Sequence, residues 1–139
     1  GIFIMNPIVR ELNAKFNPNL MVAKIDICDI FPMFYKEGIS ETNTELHAGE
    51  CETSMMMYLE PDTVHMEEAV DYVPENGRTM LNYGHIFRVS NSGVWGEPSK
   101  ASSQKGKQMI DYSIEYSIKQ MTEAFEFMSK KEKFGYTNF

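Results

Sequence analysis

Histidine and cysteine are both scarce in this chain, three and two among 139 residues. Cys28 and Cys51 lie too far apart for a zinc knuckle or a Cys-x-x-Cys redox pair. Cys28 falls in an apolar run and reads as a small core residue, and a reducing, cytoplasmic setting is the default for so few thiols. Positive charge is also short: 13 Lys and Arg against 20 Asp and Glu give a net charge of -7 and a pI of about 4.9. Phosphate binding needs a basic footprint, so nucleic acid is disfavoured as a partner. No apolar run is long enough to span a bilayer and no signal peptide is visible. Repeats and low-complexity tracts are missing too. Gly93, Gly96 and Gly106 lack the spacing and preceding strand of a nucleotide-binding fingerprint. The chain opens on Gly1, not Met, and runs straight into Ile2-Phe3-Ile4-Met5. This reads as an internal boundary left by processing, cleavage or trimming.

What is present suits one globular domain over residues 1–139. The chain is 42% hydrophobic, with nine Phe and seven Tyr, which argues against disorder. Asn6-Pro7 predicts the start of a helix, with Ile8, Leu12 and Phe16 as its apolar stripe and Asn17-Pro18-Asn19 as its stop. The Val- and Ile-rich run from Leu20 to Phe31 predicts a strand covered on both faces. A helix followed by such a strand is half of a βαβ unit. Residues 32–46 read as a loop, about Glu50 to Leu59 as a helix ended by Pro61, and residues 60–80 as irregular and acidic. Ile86 to Val89 is a short strand candidate. Ser99 is the expected cap of the longest helix, where Ile110, Ile114, Ile118, Met121, Phe125 and Met128 are spaced as a core-packing face. This order of elements points to the α/β class.

The chemistry concentrates between Glu45 and Ser54 (ELHAGECETS), which holds one histidine and three carboxylates ahead of the apolar run Met55-Met56-Met57. If a helix starts near Glu50, then His47 and Glu50 can converge and Glu52, pointing nearly the opposite way, can brace them. Imidazole with carboxylate suits zinc, manganese or iron, or a proton-transfer pair. The same residues also fit a plainer account: a histidine bonding its loop and glutamates favouring a helix N-terminus. Met55, Met56 and Met57 read as core. His65 and His85 read as surface or packing residues. Trp95, held between Gly93 and Gly96, suits either a pocket wall or a packing plug. A metal site takes three or more protein ligands, so with three histidines in all, further ligands are expected from outside residues 1–139.

These residues carry a resemblance. His47 to Ser54 (HAGECETS), followed by an apolar helix and Pro61, resembles the HAGExETS signature of the creatininase (creatinine amidohydrolase) family. Gly93 to Ser102 (GVWGEPSKAS) with Lys105-Gly106 resembles the family's later G-V-x-G-x-P segment, and Ile8 to Asn13 sits where the family has a helix. The match covers nearly the whole chain but only the C-terminal half of a family member. It implies a three-layer α/β fold, with a parallel sheet flanked by helices, and hydrolysis of C–N bonds in small cyclic or linear amides. It also implies one or two divalent metal ions and a homo-oligomer, commonly a hexamer. Most family ligands lie in an N-terminal half, which would be a partner either joined to this chain or separate from it, and Gly1 would follow directly on a ligand loop. By the resemblance, His47 would be the catalytic histidine, Glu50 a metal ligand, Glu52 a supporting or alternative ligand, and Trp95 a substrate-binding residue. The rival reading is a non-catalytic subunit that keeps the fold for structure or assembly.

Overall fold

The computed structural model describes residues 2–17, 19–75 and 77–129. Four α-helices account for most of its regular structure: α1 (Ile2–Phe16), α2 (Phe31–Lys36), α3 (Glu50–Leu59) and α4 (Ser103–Ser129). Between them the chain runs through short 3-10 turns, at Ile27–Asp29, Pro61–Thr63, Met66–Glu68, Arg78–Asn82, Ile86–Arg88 and Pro98–Lys100. The chain divides into two compact units, Gly1–Asp26 with Ile114–Phe139, and Ile27–Ser113.

The first unit holds α1 and the later part of α4. Helix α1 begins at Ile2, not at the expected Asn6-Pro7, and Pro7 lies inside it. A proline costs one main-chain bond, which is not enough to end a helix whose preceding turn is already formed. Pro18, part of the expected stop, lies outside the described residues. The segment after α1 is anchored by a side chain: Asn13 Nδ2 donates to the Val22 carbonyl (2.9 Å) and the Val22 N–H donates to Asn13 Oδ1 (2.7 Å). The amide thus offers Val22 the donor and acceptor that a neighbouring strand would supply.

No strand forms among the described residues, and the sheet shrinks to two isolated antiparallel bridges, His47 with Trp95 and Tyr72 with Gly96. The buried strand expected from Leu20 to Phe31 is instead irregular chain, a 3-10 turn and the start of α2. β-Branched residues favour a sheet only where neighbours pair with them, and Pro32 pre-sets the first turn of α2. The loop expected at 32–46 therefore begins with a helix. The strand candidate at 86–89 is a 3-10 turn. Cys28, expected in the core, is exposed, while Cys51 is buried.

The second unit contains the compact core: Ile30, Phe34, Cys51, Trp95 and Met109. Phe34 meets Tyr112 edge to face, with ring centroids 5.8 Å apart at 74°. Helix α3 keeps its expected bounds. It runs so close to α4 that a Cβ on Gly106 would strike the Ser54 carbonyl. The cap of α4 is Ser102, not Ser99: its hydroxyl accepts the Lys105 N–H (3.3 Å), as an N-cap serine does. Ser99 is held elsewhere, its N–H and hydroxyl both donating to Asp71, which pulls the Asp71 carboxyl below its ordinary range. The stripe on α4 departs from its reading as a core face, since Ile114 and Ile118 are 54% and 56% exposed. Periodicity fixes which residues share a face, whereas burial requires a surface opposite them.

Candidate functional site

The loop that carries His47 is fixed from several sides. Leu46 and His47 donate to the Trp95 carbonyl (2.7 and 3.2 Å), and the Trp95 N–H donates to the His47 carbonyl (2.8 Å). Gly96, the next residue, exchanges two bonds with Tyr72 (2.9 and 2.8 Å). Successive residues of an extended segment present their polar groups to opposite edges, so residues 95 and 96 tie the His47 loop and the Tyr72 loop together. Gly49 and Gly96 are required here. A Cβ on Gly96 would lie 2.6 Å from the Gly49 Cα, and one on Gly49 would lie 2.6 Å from Glu45 Oε2. Between His47 and Gly49, Ala48 takes a left-handed φ of 50°, a conformation that costs a non-glycine residue roughly 1–2 kcal/mol. The surrounding bonds hold it there.

Three carboxylates meet the N-terminus of α3, where free N–H groups and the helix dipole attract negative charge. Gly49 occupies the cap position and has no side chain to offer. Glu45 replaces it, accepting the Cys51 N–H (3.0 and 3.2 Å). Burial raises the Glu45 carboxyl above its ordinary value despite that bond. Burial, together with the neighbouring Glu45, also pushes the Cys51 thiol strongly upward, so it is inert at neutral pH.

Glu50 is fully buried and fully engaged. It accepts from the N–H groups of Glu41 (2.9 Å) and Thr42 (2.9 Å), from the Thr42 hydroxyl, and from Lys105 Nζ (2.7 Å). Lys105 Nζ also reaches Glu41 (2.7 Å) and the Lys100 carbonyl (2.9 Å). Burial alone would raise the Glu50 carboxyl, but the Lys105, Thr42 and Glu41 bonds outweigh it and leave it below its ordinary value. Lys105 is held above its own for the same reason.

Glu52 faces the other way, as expected for residues about 200° apart around a helix. Its Oε2 accepts the Ala48 N–H and stands 3.7 Å from His47 Nδ1. Both side chains remain open, 59% exposed for His47 and 40% for Glu52. The fold therefore brings His47 together with Glu52, and the convergence of His47 with Glu50 is not what it builds. Glu50 bonds the chain at residues 41–42 and Lys105, and Glu52 lies beside the histidine.

His47 and Glu52 open onto a cavity of about 720 Å³ within the second unit. The methionines read as core contribute two of its walls, Met55 and Met56, and His65, read as a surface residue, lines it as well as pairing with Glu67 at 3.3 Å. Trp95 is 3% exposed and is not among the residues lining this cavity, where Ser92 and Val94 stand instead. It positions His47 through its backbone.

The family model for creatinine amidohydrolases matches residues 2–121. The chain belongs to the creatininase family. Its creatininase-like fold is supported by a solved structure from Bacteroides fragilis NCTC 9343 described as a "Putative creatinine amidohydrolase". The two are 27% identical with a TM-score of 0.64, over 94% of this chain and 51% of that one. The chain thus spans about half the length of this solved relative. Curated proteins return no match. The creatininase signature falls on the His47 loop and the start of α3, and its later segment falls on the Trp95 loop and Lys105. The two stretches of family sequence are therefore in direct contact: Trp95 bonds the His47 backbone, and Lys105 bonds Glu50. Lys105 and Thr42 were missed as site-forming residues. Lys105 had one signal, its place in the later family segment, whereas nothing marked Thr42.

Among the described residues no group of three His, Cys, Asp or Glu side chains is placed to hold a metal ion. The open imidazole of His47 and carboxylate of Glu52 are ligand types for a divalent metal ion; His65 and Glu68 also line the cavity, but no three of these side chains are grouped to hold an ion. No helix of the described residues is long and apolar enough to cross a membrane.

Proposed function

We propose that this chain forms one wall of a metal-dependent amidohydrolase of the creatininase type, which hydrolyses a C–N bond in a small cyclic or linear amide. The observation that carries the reading is the His47–Glu52 pair, open on a cavity and built from the family signature. A carboxylate beside Nδ1 favours one ring orientation, leaving Nε2 as the nitrogen that exchanges protons with substrate. Amide cleavage needs a proton on the leaving nitrogen as the C–N bond breaks, and His47 supplies it from Nε2 after taking one from the attacking water. A divalent ion, when bound, would polarise the carbonyl and make that water a better nucleophile. Glu52 would contribute to its shell, with the other ligands from outside residues 1–139. Glu50, being saturated by Lys105 and Thr42, serves as a brace in this reading, and Trp95 acts through its backbone.

The parallel sheet and the oligomer are part of the same proposal. The run from Leu20 would gain strand neighbours from an N-terminal half, and the exposed stripe of Ile114 and Ile118 is the kind of apolar surface an assembly contact covers. In the test, the purified assembly is analysed for bound metal and assayed on small amides. His47→Ala should lower turnover by about 10²–10⁴-fold, and undiminished hydrolysis by that variant would end the assignment. The incomplete donor set favours one rival, a non-catalytic subunit. A metal-free assembly that hydrolyses no amide would establish it.

A further inference from the structure

The cavity beside His47 is larger and more apolar than hydrolysis of a small ring amide requires. At about 720 Å³ it lies well inside the range of ligand pockets and has room for about two dozen waters at ~30 Å³ each. Its chemistry is graded along α3. Glu52, Met55, Met56 and Leu59 all line it, at the i, i+3, i+4 and i+7 spacing that places residues on one helix face. At 1.5 Å per residue, Leu59 lies about 10 Å along the axis from Glu52. Val64 and Ile110 add further apolar lining, and Thr63, His65 and Glu68 line the cavity as well. Met56 and Leu59 are 41% and 51% exposed, so their apolar surface is open to the cavity rather than packed in the core.

We infer that the substrate is an amphipathic amide: its C–N bond sits at the His47–Glu52 end and an aliphatic chain or comparable apolar group runs along α3 toward Leu59. Methionine suits such a wall, because its unbranched thioether adapts to the shape of a flexible chain. The polar end orients the amide and the apolar end supplies affinity. This rests on the amidohydrolase reading for the reaction but not for the binding.

The test is a homologous series, acetamide, butyramide, hexanamide and octanamide, with binding to the purified assembly and hydrolysis by it measured separately. Binding should strengthen by up to about fourfold per methylene, and kcat/KM should rise with it. Met56→Lys and Leu59→Lys, both at positions exposed enough to fold with a charge, should flatten the dependence. Equal binding of acetamide and octanamide, or a chain-length dependence untouched by either lysine, would overturn the inference. So would failure of every amide to bind, as when another segment of the protein fills the cavity. Graded binding without hydrolysis of any member would instead reject the amidohydrolase reading and leave the apolar-amide site standing. Hydrolysis without grading would do the reverse.

Discussion

Replacing Lys105 by methionine removes one charge from a buried pair and leaves its partner in place. Glu50 is fully buried, and Lys105 Nζ is its cationic partner, at 2.7 Å, with a side chain only 21% exposed. Breaking a buried ion pair from one side costs about 3–5 kcal/mol, because a desolvated charge is left uncompensated. The lower end applies here, since Glu50 keeps the Glu41 N–H, the Thr42 N–H and the Thr42 hydroxyl. A loss of about 3 kcal/mol is large against a total of about 5–15 kcal/mol. At roughly 4 °C per kcal/mol for a chain of this size it lowers the melting temperature by about 12 °C. Urea unfolding of the purified protein should show a lower midpoint with an unchanged slope.

The double variant Glu50→Gln/Lys105→Met removes the stranded charge and should recover most of the loss, to within about 1 kcal/mol of the parent. The pH dependence gives a second readout. In the parent the folded Glu50 carboxyl titrates below its ordinary 4.5, so the unfolded chain binds more protons in that window. Its stabilisation is full above about pH 4.5 and is lost as pH falls through the folded value. Without Lys105 the largest opposing influence, burial, has less to overcome it, so this acid-side loss should shrink. A single variant as stable as the parent, or a double variant less stable than the single, would refute the idea that the pair works as a unit.

Three further outcomes follow from the same geometry. Glu45→Gln keeps an acceptor for the Cys51 N–H and removes a carboxylate whose folded value is raised above 4.5. The parent loses that group's share of stability as pH rises from 4.5 through the folded value, and the variant should lack this loss while matching the parent below it, as melts across pH 4–7 will show. Gly106→Ala drives a Cβ into the Ser54 carbonyl, a backbone obstacle that no rotamer can clear. It should cost about 1–3 kcal/mol by denaturation, or more if α3 and α4 must separate. Ala48→Gly, at φ 50°, should leave stability within about 1 kcal/mol of the parent, because relieved strain and added unfolded-state entropy oppose each other. Ala48→Val should be clearly destabilised in the same melts.

Helices α3 and α4 were legible because their signals are local. Glycine, acidic residues in the first turn and Pro61 bound α3, and regular apolar spacing marks α4. Helix α2 was not, because Pro32 reads equally as a breaker or as a first-turn residue, and context decides which. The run from Leu20 forms no strand here for a different reason: strand formation depends on a neighbouring strand, and Asn13 meets Val22 instead. The surroundings of Glu50 and Glu52 show the same limit at the site. Helical geometry sets the two on opposite faces, but the partner that makes one of them internal, Lys105, lies 55 residues away. Only with that contact drawn does the chemistry sort itself. Under the proposed function, a group that serves in hydrolysis must be both fixed and accessible. Glu50 is fixed by Lys105, Thr42 and Glu41 and has nothing left to offer. Glu52 is fixed through the Ala48 N–H and still faces His47 and the cavity. The buried pair is what permits that arrangement: by clamping residues 41–42 to α3 and α4, it holds the start of the loop whose far end presents the histidine.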